Sequence, residues 1–323
     1  MITFEAMNTH FLLAGLSPAE ETQIESLVQS AQTMLSRFEP GSELTRINKL
    51  GGQWVPATPL VFQLLKDATA AYRETDGLFN PFMGEILKEL GYDKSFEQLP
   101  RPSEKRKHIT SVFSTSSLSN SQLRLPSYLD FDERDSQVCL SPNVTLDLGG
   151  IAKGWIAQYA YNQLQLSGTT AGLIDAGGDI ILWGQHPEQT LWGVGVAHPF
   201  DDNKDIADLW CKETTAIATS SVVKRRWQST SNDNLHHIID PRTQAPASSD
   251  FVQVTILARD LTFAEQYAKC LLILGSKDGL TWLQKKRSDL GYIAVCNDGC
   301  VIASNNLHEY CTELEVLPYV DLD

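Results

Sequence analysis

One short segment of the chain, residues 144–159, combines a carboxylate, a glycine pair and a lysine in the sequence VTLDLGGIAKGWIAQY. Asp147 and Lys153 lie on either side of Gly149 and Gly150, and the pattern predicts a buried strand that turns into a helix. A glycine pair lets backbone N–H groups approach a ligand closely, and a helix N-terminus favours negative charge. The segment therefore indicates a phosphate-binding turn, although a tight turn with a solvated Lys153 would have the same sequence.

A second glycine pair occurs in the run LIDAGGDI, residues 173–180. Asp175 precedes Gly177 and Gly178, and Asp179 follows them. The pair could form another surface for close backbone approach, or a bulge within a strand, and the pattern alone favours the bulge.

Adjacent histidines begin the run HHIIDPRT, residues 236–243. In an alternating strand His236 and His237 face opposite sides, so only one of them can point into a site. A lone histidine is more often structural than catalytic. Asp240 and Arg242 improve the case, because such neighbours can orient an imidazole and hold phosphate oxygens.

The composition restricts the class of partner. The 323 residues have a net charge of -14, which argues against nucleic acid or an anionic membrane surface as the main partner. The six cysteines have no CxxC spacing and indicate reduced thiols rather than a zinc site or a disulfide scaffold. We find no apolar run of membrane-spanning length and no export signal, which predicts a cytoplasmic protein unless such a signal has been removed.

The elements that must position these residues follow from hydrophobic periodicity and turn residues. Helices are predicted over residues 17–38, 59–75, 156–166 and 263–274, and a polar surface excursion over about residues 93–136. From residue 137 onward, short apolar runs follow one another with few helices between them. This order predicts an α+β fold with mainly antiparallel sheets and flanking helices, in a single domain over residues 1–323.

Taken together, these segments resemble the ApbE family of flavin transferases, the FAD:protein FMN transferases. The resemblance covers nearly the whole chain and depends on the order and spacing of several motifs rather than on any one of them. The motifs are MNT (7–9), SRF (36–38), SEL (42–44), Asn48, GLFNP (77–81), DLGGIAKG (147–154), DAGGDI (175–180), ATS (218–220), HHIIDPRT (236–243) and the helix that ends at Gly275.

The resemblance implies a site that binds FAD, cleaves its pyrophosphate with Mg²⁺ and transfers FMN to a threonine or serine hydroxyl of an acceptor flavoprotein. It implies that His237 is the functionally important histidine. The FAD contacts that it implies are Met7, Phe38, Leu78, Phe79, Asn80, Asp147, Lys153, Asp175, Gly177, Gly178 and Ile239.

The metal position departs from the family pattern. The resemblance places one ligand at the backbone carbonyl of Gly150, and the other two positions, an Asp and a Thr in the family, are Glu265 and Lys269 here. Glu265 still offers carboxylate oxygens to a hard cation, whereas Lys269 does not. Either an i,i+4 salt bridge has replaced the metal site, or the ammonium group itself occupies the cation's place and leaves FAD bound but uncleaved.

Three glycines that the family pattern predicts are also replaced, by Asn8, Ser221 and Gln244. Each change could compromise a close backbone approach or a positive φ. Three interpretations therefore stay open. The chain is an active transferase, a flavin-binding relative that has lost its metal site and its transferase activity, or a structural protein that keeps only the fold.

Overall fold

A computed structural model describes most of the chain, and contacts divide it into two compact units. The described residues are 1–92, 125–201, 203–211, 213–223, 226–228, 234–316 and 320–321. The first unit comprises Met1–Val28, Lys153–Lys224 and Ser249–Asp323, and the second comprises Gln29–Ala152 and Arg225–Ser248. A single domain over residues 1–323 stays a prediction.

The strands and helices have the following bounds in chain order. The strands are β1 (Ile2–Ala6), β2 (Thr9–Ala14), β3 (Trp54–Pro56), β4 (Leu129–Asp132), β5 (Gln137–Leu140), β6 (Gly172–Ala176), β7 (Ile180–Trp183), β8 (Trp192–Ala197), β9 (Asp205–Cys211), β10 (Thr215–Ser221), β11 (Arg226–Gln228), β12 (Asn234–His236), β13 (Ile239–Asp240), β14 (Ala245–Pro246), β15 (Phe251–Ala258), β16 (Gly291–Cys296), β17 (Val301–Ala303), β18 (Glu313–Val316) and β19 (Val320–Asp321). The helices are α1 (Pro18–Leu35), α2 (Glu43–Lys49), α3 (Pro59–Glu74), α4 (Gly84–Glu89), α5 (Ala152–Leu166) and α6 (Leu261–Arg287), and a 3-10 helix covers Asn305–Glu309.

The first unit is built on a nine-stranded sheet with the order β1-β2-β6-β7-β10-β15-β16-β17-β19. A smaller sheet of the same unit has the order β18-β9-β8. Every described strand pair in these two sheets is antiparallel, apart from the parallel pair β17 and β19. The prediction of an α+β fold with mainly antiparallel sheets is confirmed.

Helix α6 packs against the two central strands β10 and β15. Every residue of β15 is buried, because the strand has neighbours on both edges and mostly apolar side chains, with Gln253 and Thr255 as the polar exceptions. The Asp260 side chain accepts hydrogen bonds from the N–H groups of Thr262 and Phe263 and so caps the helix. Gly275, at φ 74 and ψ -176, interrupts the helix, which explains why the sequence predicts a helix only as far as residue 274.

The second unit contains α2, α3 and α4, the small sheet β3-β5-β4, and the strand pairs β11-β12 and β13-β14. Trp227 and Leu235 form a buried apolar cluster, against which Leu90 and Tyr92 pack. The indole N–H of Trp227 donates to the carbonyl oxygen of Leu90 at 2.9 Å, and its ring stacks on Tyr92 with 5.3 Å between the centroids.

The segment before the first glycine pair differs from its prediction. Residues 144–148 were expected to be a buried strand, and the structure gives them no strand partner, although Leu146 and Leu148 are buried. The Asn48 side chain instead accepts from Leu146 N–H at 2.8 Å and donates to its carbonyl oxygen at 3.0 Å. The alternating apolar residues of this segment are therefore buried without forming a strand. The Asn48 side-chain amide makes the backbone hydrogen bonds that a neighbouring strand would otherwise make.

The predicted polar excursion at 93–136 falls partly outside the described residues, because residues 93–124 are not among them. Its remaining part, 125–136, contains β4, which pairs with β5. Among the described residues, no helix is both long and apolar enough to cross a membrane.

Candidate active site

Lys153 lies in the first turn of α5, where its ammonium group contacts two buried carboxylates of the first unit. The Nζ atom is 2.5 Å from Oδ2 of Asp179 and 3.0 Å from Oε1 of Glu265. The side chains of Asp179 and Glu265 are only 7% and 1% exposed, so their charges must be compensated inside the protein. Lys153 is therefore an ion-paired group in this structure rather than the solvated lysine of the alternative interpretation.

Glu265 receives hydrogen bonds on both of its carboxylate oxygens. Oε2 accepts from the backbone N–H of Gly154 at 2.9 Å, while Oε1 lies 3.2 Å from the Nζ atom of Lys269 in addition to its contact with Lys153. Burial raises the pKa of Glu265, but the charges of Lys153 and Lys269 and the donated hydrogen bonds outweigh it and lower the pKa to about 2. Glu265 is thus a carboxylate over the ordinary pH range.

These side chains do not fit a divalent cation. Both oxygens of Glu265 are already bonded to N–H donors, and the Lys269 position holds a positive charge. Among the described residues, no group of three or more His, Cys, Asp or Glu side chains is arranged to hold a metal. The third predicted ligand position, Gly150, belongs to the second unit and lies in the turn before α5.

The second glycine pair forms the tight turn between β6 and β7, and the interpretation as a bulge within one strand is wrong. Gly177 and Gly178 have φ values of 74 and 93, in the left-handed region that favours glycine. Oδ1 of Asp175 accepts from Gly178 N–H at 2.6 Å, and burial raises the pKa of Asp175. A Cβ atom on Gly177 would lie only 2.9 Å from Cβ of Thr9, so the close backbone approach here is to the protein itself.

Two of the three glycine replacements keep a glycine-like backbone. Asn8 has φ 57 in the turn between β1 and β2, next to Met7 at φ 51, and Gln244 has φ 57 in the turn between β13 and β14. Ser221 differs, because it is the last residue of β10 and pairs with Gln253 in the sheet. The expected positive φ therefore occurs at Asn8 and Gln244, and both residues have backbone strain there.

Asp147 orients the first glycine pair in the second unit. Its Oδ1 accepts from Gly149 N–H at 2.9 Å, and its Oδ2 lies 2.5 Å from Nε of Arg37. The Arg37 guanidinium lies 4.3 Å from the ring centroid of Phe38 and 4.8 Å from that of Tyr92. Neither Arg37 nor Tyr92 was predicted as a site residue. Arg37 could have been identified from the sequence, because it lies in the SRF motif of the family.

The GLFNP motif packs into the second unit. Leu78 and Phe79 are 8% and 5% exposed, and Phe79 N–H donates to Oγ1 of Thr75 at 3.0 Å. The Asn80 side chain caps the local turn by accepting from Phe82 N–H at 2.9 Å. In this structure Leu78 and Phe79 are core residues, while Asn80 is half-buried.

The two histidines have different environments, although they do not alternate along one strand, because β12 ends at His236. His236 ends β12 and is buried, and its Nε2 donates to the carbonyl oxygen of Ala247 at 3.1 Å. Burial lowers the pKa of His236 to about 4, so its ring is neutral. His237 lies in the following bend and is half-buried, which keeps it the candidate for chemistry.

The turn after the histidines fixes Arg242. Its guanidinium binds the carboxylate of Asp240 through Nε at 2.9 Å and through Nη2 at 2.7 Å. Ile239 pairs with Pro246 in the hairpin β13-β14 and is half-buried. Asp240 therefore orients Arg242 rather than an imidazole.

The predicted site residues divide between the two units. In the first unit the structure brings Lys153, Glu265 and Lys269 together with Asp179, which the sequence placed beside the glycine pair without a role. The remaining predicted residues of that unit are Met7, Asp175, Gly177 and Gly178. The predicted residues of the second unit are Phe38, Leu78, Phe79, Asn80, Asp147, Gly150, His237 and Ile239.

The fold is that of the solved flavin transferases of the ApbE type. The crystal structure of the ApbE protein from Thermotoga maritima aligns with a TM-score of 0.79 at 24% identity, over 97% of this chain and 99% of that one. Flavin transferase ApbE from Vibrio cholerae aligns with a TM-score of 0.72 at 21% identity, over 96% and 98% of the two chains. The TM-scores over nearly the whole of each chain establish the fold.

The family follows from the sequence match. The model of the ApbE family matches residues 3–294, and the chain belongs to this family. Similar proteins include the FAD:protein FMN transferase of Klebsiella pneumoniae, 26% identical over 286 residues, which are 88% of this chain and 84% of that protein. The FAD:protein FMN transferase of Chlamydia trachomatis is 27% identical over 280 residues, 82% and 79% of the two chains. The resemblance seen in the motifs is confirmed.

Proposed function

We propose that this protein is an FAD:protein FMN transferase, which cleaves FAD and attaches FMN to a threonine or serine hydroxyl of an acceptor flavoprotein. The observation that carries the proposal is the pair of ammonium groups of Lys153 and Lys269, which lie 3.0 and 3.2 Å from the same Glu265 oxygen. An ammonium group has three N–H donors, so a lysine that is paired with a carboxylate can still donate to a phosphate oxygen. The relatives named above carry the same activity in their names.

The residues of this chain take the following roles in the proposal. Lys153, in the first turn of α5, offsets phosphate charge near the positive end of the helix dipole. Asp147, held by Arg37, fixes the turn of the first glycine pair in the second unit and is a proposed FAD contact. Met7, Phe38, Leu78, Phe79, Asn80, Asp175, Gly177, Gly178 and Ile239 remain proposed FAD contacts.

His237 is the proposed catalytic residue. The acceptor hydroxyl oxygen forms a bond to the phosphorus of the FMN half, the bond between that phosphorus and the bridging oxygen breaks, and AMP leaves. His237 takes the proton of the hydroxyl. No step is assigned to Mg²⁺, because the side chains at its predicted position do not fit a divalent cation.

The test is incubation of the purified protein with FAD and an extract of the source organism. We expect AMP in the soluble fraction, measured by liquid chromatography, and a flavin-fluorescent protein band that survives denaturing electrophoresis. The His237→Gln variant should retain FAD binding and lose the band, whereas a matched change at the buried neighbour, His236→Gln, should retain the band. Bound FAD without AMP or a labelled band would contradict the proposal and favour the flavin-binding alternative. The cytoplasmic location stays a prediction, which fractionation of the source cells would test.

A further inference from the structure

The four charged groups around Glu265 are already balanced without a metal ion. Lys153 and Lys269 each contribute one positive charge, while Asp179 and Glu265 each contribute one carboxylate. A cation that bound Glu265 would have to displace either the ammonium groups on Oε1 or the Gly154 N–H on Oε2. Since Glu265 is 1% exposed, displacing the Gly154 N–H would leave a buried donor unpaired, and displacing the ammonium groups would break a buried ion pair.

Lys269 provides the second ammonium group of this cluster, and its side chain is about as exposed as that of Lys153. Its ammonium group donates to two atoms of one residue, to Oε1 of Glu265 at 3.2 Å and to the Glu265 carbonyl oxygen at 3.3 Å. The side chain is 15% exposed, so it is not sealed in the core as Glu265 is. An ammonium group on a flexible stem is a compact point charge that suits phosphate oxygens.

We propose that the Lys269 ammonium, fixed by Glu265 one helical turn earlier and assisted by Lys153, donates to the FAD diphosphate at the position where the family pattern has a divalent cation. The protein therefore binds FAD without metal. This inference rests on the proposed function, because it takes FAD as the ligand, and it adds the residue that makes binding independent of Mg²⁺.

The first experiment titrates FAD into the wild-type protein by fluorescence quenching, once with EDTA and once with Mg²⁺. We expect dissociation constants that agree within about twofold. A second measurement needs no variant and no flavin: Mn²⁺ is added to the wild-type protein and free Mn²⁺ is followed by its paramagnetic resonance signal. We expect no binding with one-to-one stoichiometry, since the carboxylate oxygens of Glu265 are occupied by donors.

Three variants of Lys269 distinguish the effect of its positive charge from the effect of an oxygen ligand at the same position. Lys269→Met keeps an unbranched side chain, one atom shorter, and removes the charge, so FAD binding should weaken about tenfold or more with and without Mg²⁺. Lys269→Thr offers a hydroxyl oxygen instead, but Lys153 and Gly154 N–H still occupy the Glu265 oxygens, so binding should weaken to the same extent with EDTA and with Mg²⁺. Lys269→Arg keeps the charge and should stay metal-independent. Lys277→Thr, an exposed lysine farther along α6, is the matched control and should change nothing.

The outcomes distinguish this inference from the proposed function. Wild-type protein that binds FAD only with Mg²⁺, or that binds one Mn²⁺, overturns the inference and leaves the transferase activity standing. Wild-type protein that binds FAD in EDTA but releases no AMP supports the inference and contradicts the transferase. A Lys269→Met variant with unchanged FAD affinity overturns the role of Lys269.

Discussion

Gly177 and Thr9 are in such close contact that the turn between β6 and β7 has no room for a side chain at Gly177. A Cβ atom there would lie 2.9 Å from Cβ of Thr9, whereas a Cβ atom on Gly178 would meet nothing within 4 Å. Both glycines have positive φ values, so a residue with a Cβ atom would strain the backbone at either position. Only at Gly177 would the Cβ atom also overlap a neighbouring side chain.

We therefore predict unequal effects of alanine in this turn. Gly177→Ala should lower the free energy of unfolding by about 3 kcal/mol, because steric overlap adds to backbone strain. Gly178→Ala should cost about 1 kcal/mol from the backbone alone. Urea unfolding of the two variants measures the difference, and equal losses would contradict the contact with Thr9.

The buried Glu265 carboxylate gives a second prediction. Glu265→Gln should lower the free energy of unfolding at pH 7 by about 3 kcal/mol, because two ammonium groups lose their common partner. The exposed change Glu89→Gln is the control and should have an effect below about 0.5 kcal/mol.

The effect of Glu265→Gln should depend on pH. The pKa of Glu265 is lowered from 4.5 to about 2 in the folded protein, so its contribution is present above pH 4.5 and is lost as the pH falls towards 2. The difference in unfolding free energy between wild type and variant should shrink over that interval. A difference that is constant with pH would contradict a charged Glu265.

The buried His236 should make the stability of the protein depend on pH at higher values than Glu265 does. Its pKa falls from 6.5 to about 4 on folding because of burial, so the unfolded chain takes up a proton before the folded one does. Stability should therefore decrease as the pH falls below 6.5, by about 2 kcal/mol between pH 7 and pH 5. Urea unfolding at both pH values measures this slope.

The variant His236→Gln should be less sensitive to pH over that interval. A glutamine amide can still donate to the carbonyl oxygen of Ala247, and it has no proton to gain. His10→Gln, at an exposed position, should keep the wild-type slope. If His236→Gln also kept the full slope, the buried neutral histidine would not be its source.

Replacement of Gln244 by glycine should increase the stability of the protein. Its φ of 57 costs a residue with a Cβ atom about 1 kcal/mol, so Gln244→Gly should raise the melting temperature. Gln244→Ala keeps the Cβ atom and should give no gain. Asn8→Gly should change stability by less than about 0.5 kcal/mol, because asparagine tolerates the left-handed region in a two-residue hairpin turn. A loss of stability in Gln244→Gly would contradict the strain.

Local sequence patterns predicted the features that depend on neighbouring residues. The helix at residues 59–75 matches α3, and the apolar runs that became β10, β15 and β16 were recognised by their length and composition. The pairing of Glu265 with Lys269 was predicted as well, since side chains four positions apart on a helix are neighbours.

Distant contacts explain what the sequence pattern left out. The Asn48 side chain bonds to Leu146, 98 positions away, and this contact replaces the predicted strand. Likewise, Lys153 pairs with Glu265, which is 112 positions later in the chain. The lysine that was predicted to contact phosphate is therefore bound to a carboxylate in this structure. Periodicity carries no information about such partners.

The strand order of the large sheet has a consequence for the way the chain acquires its structure. Strand β2 pairs with β6, more than 150 residues later, and both units are assembled from separate stretches of chain. During synthesis, the β1-β2 hairpin emerges from the ribosome long before β6, the strand that pairs with β2. Neither unit can be completed until residues beyond 224 have emerged. We expect slow, largely post-translational folding in which the exposed edge of the early hairpin is the part of the nascent chain most in need of a chaperone.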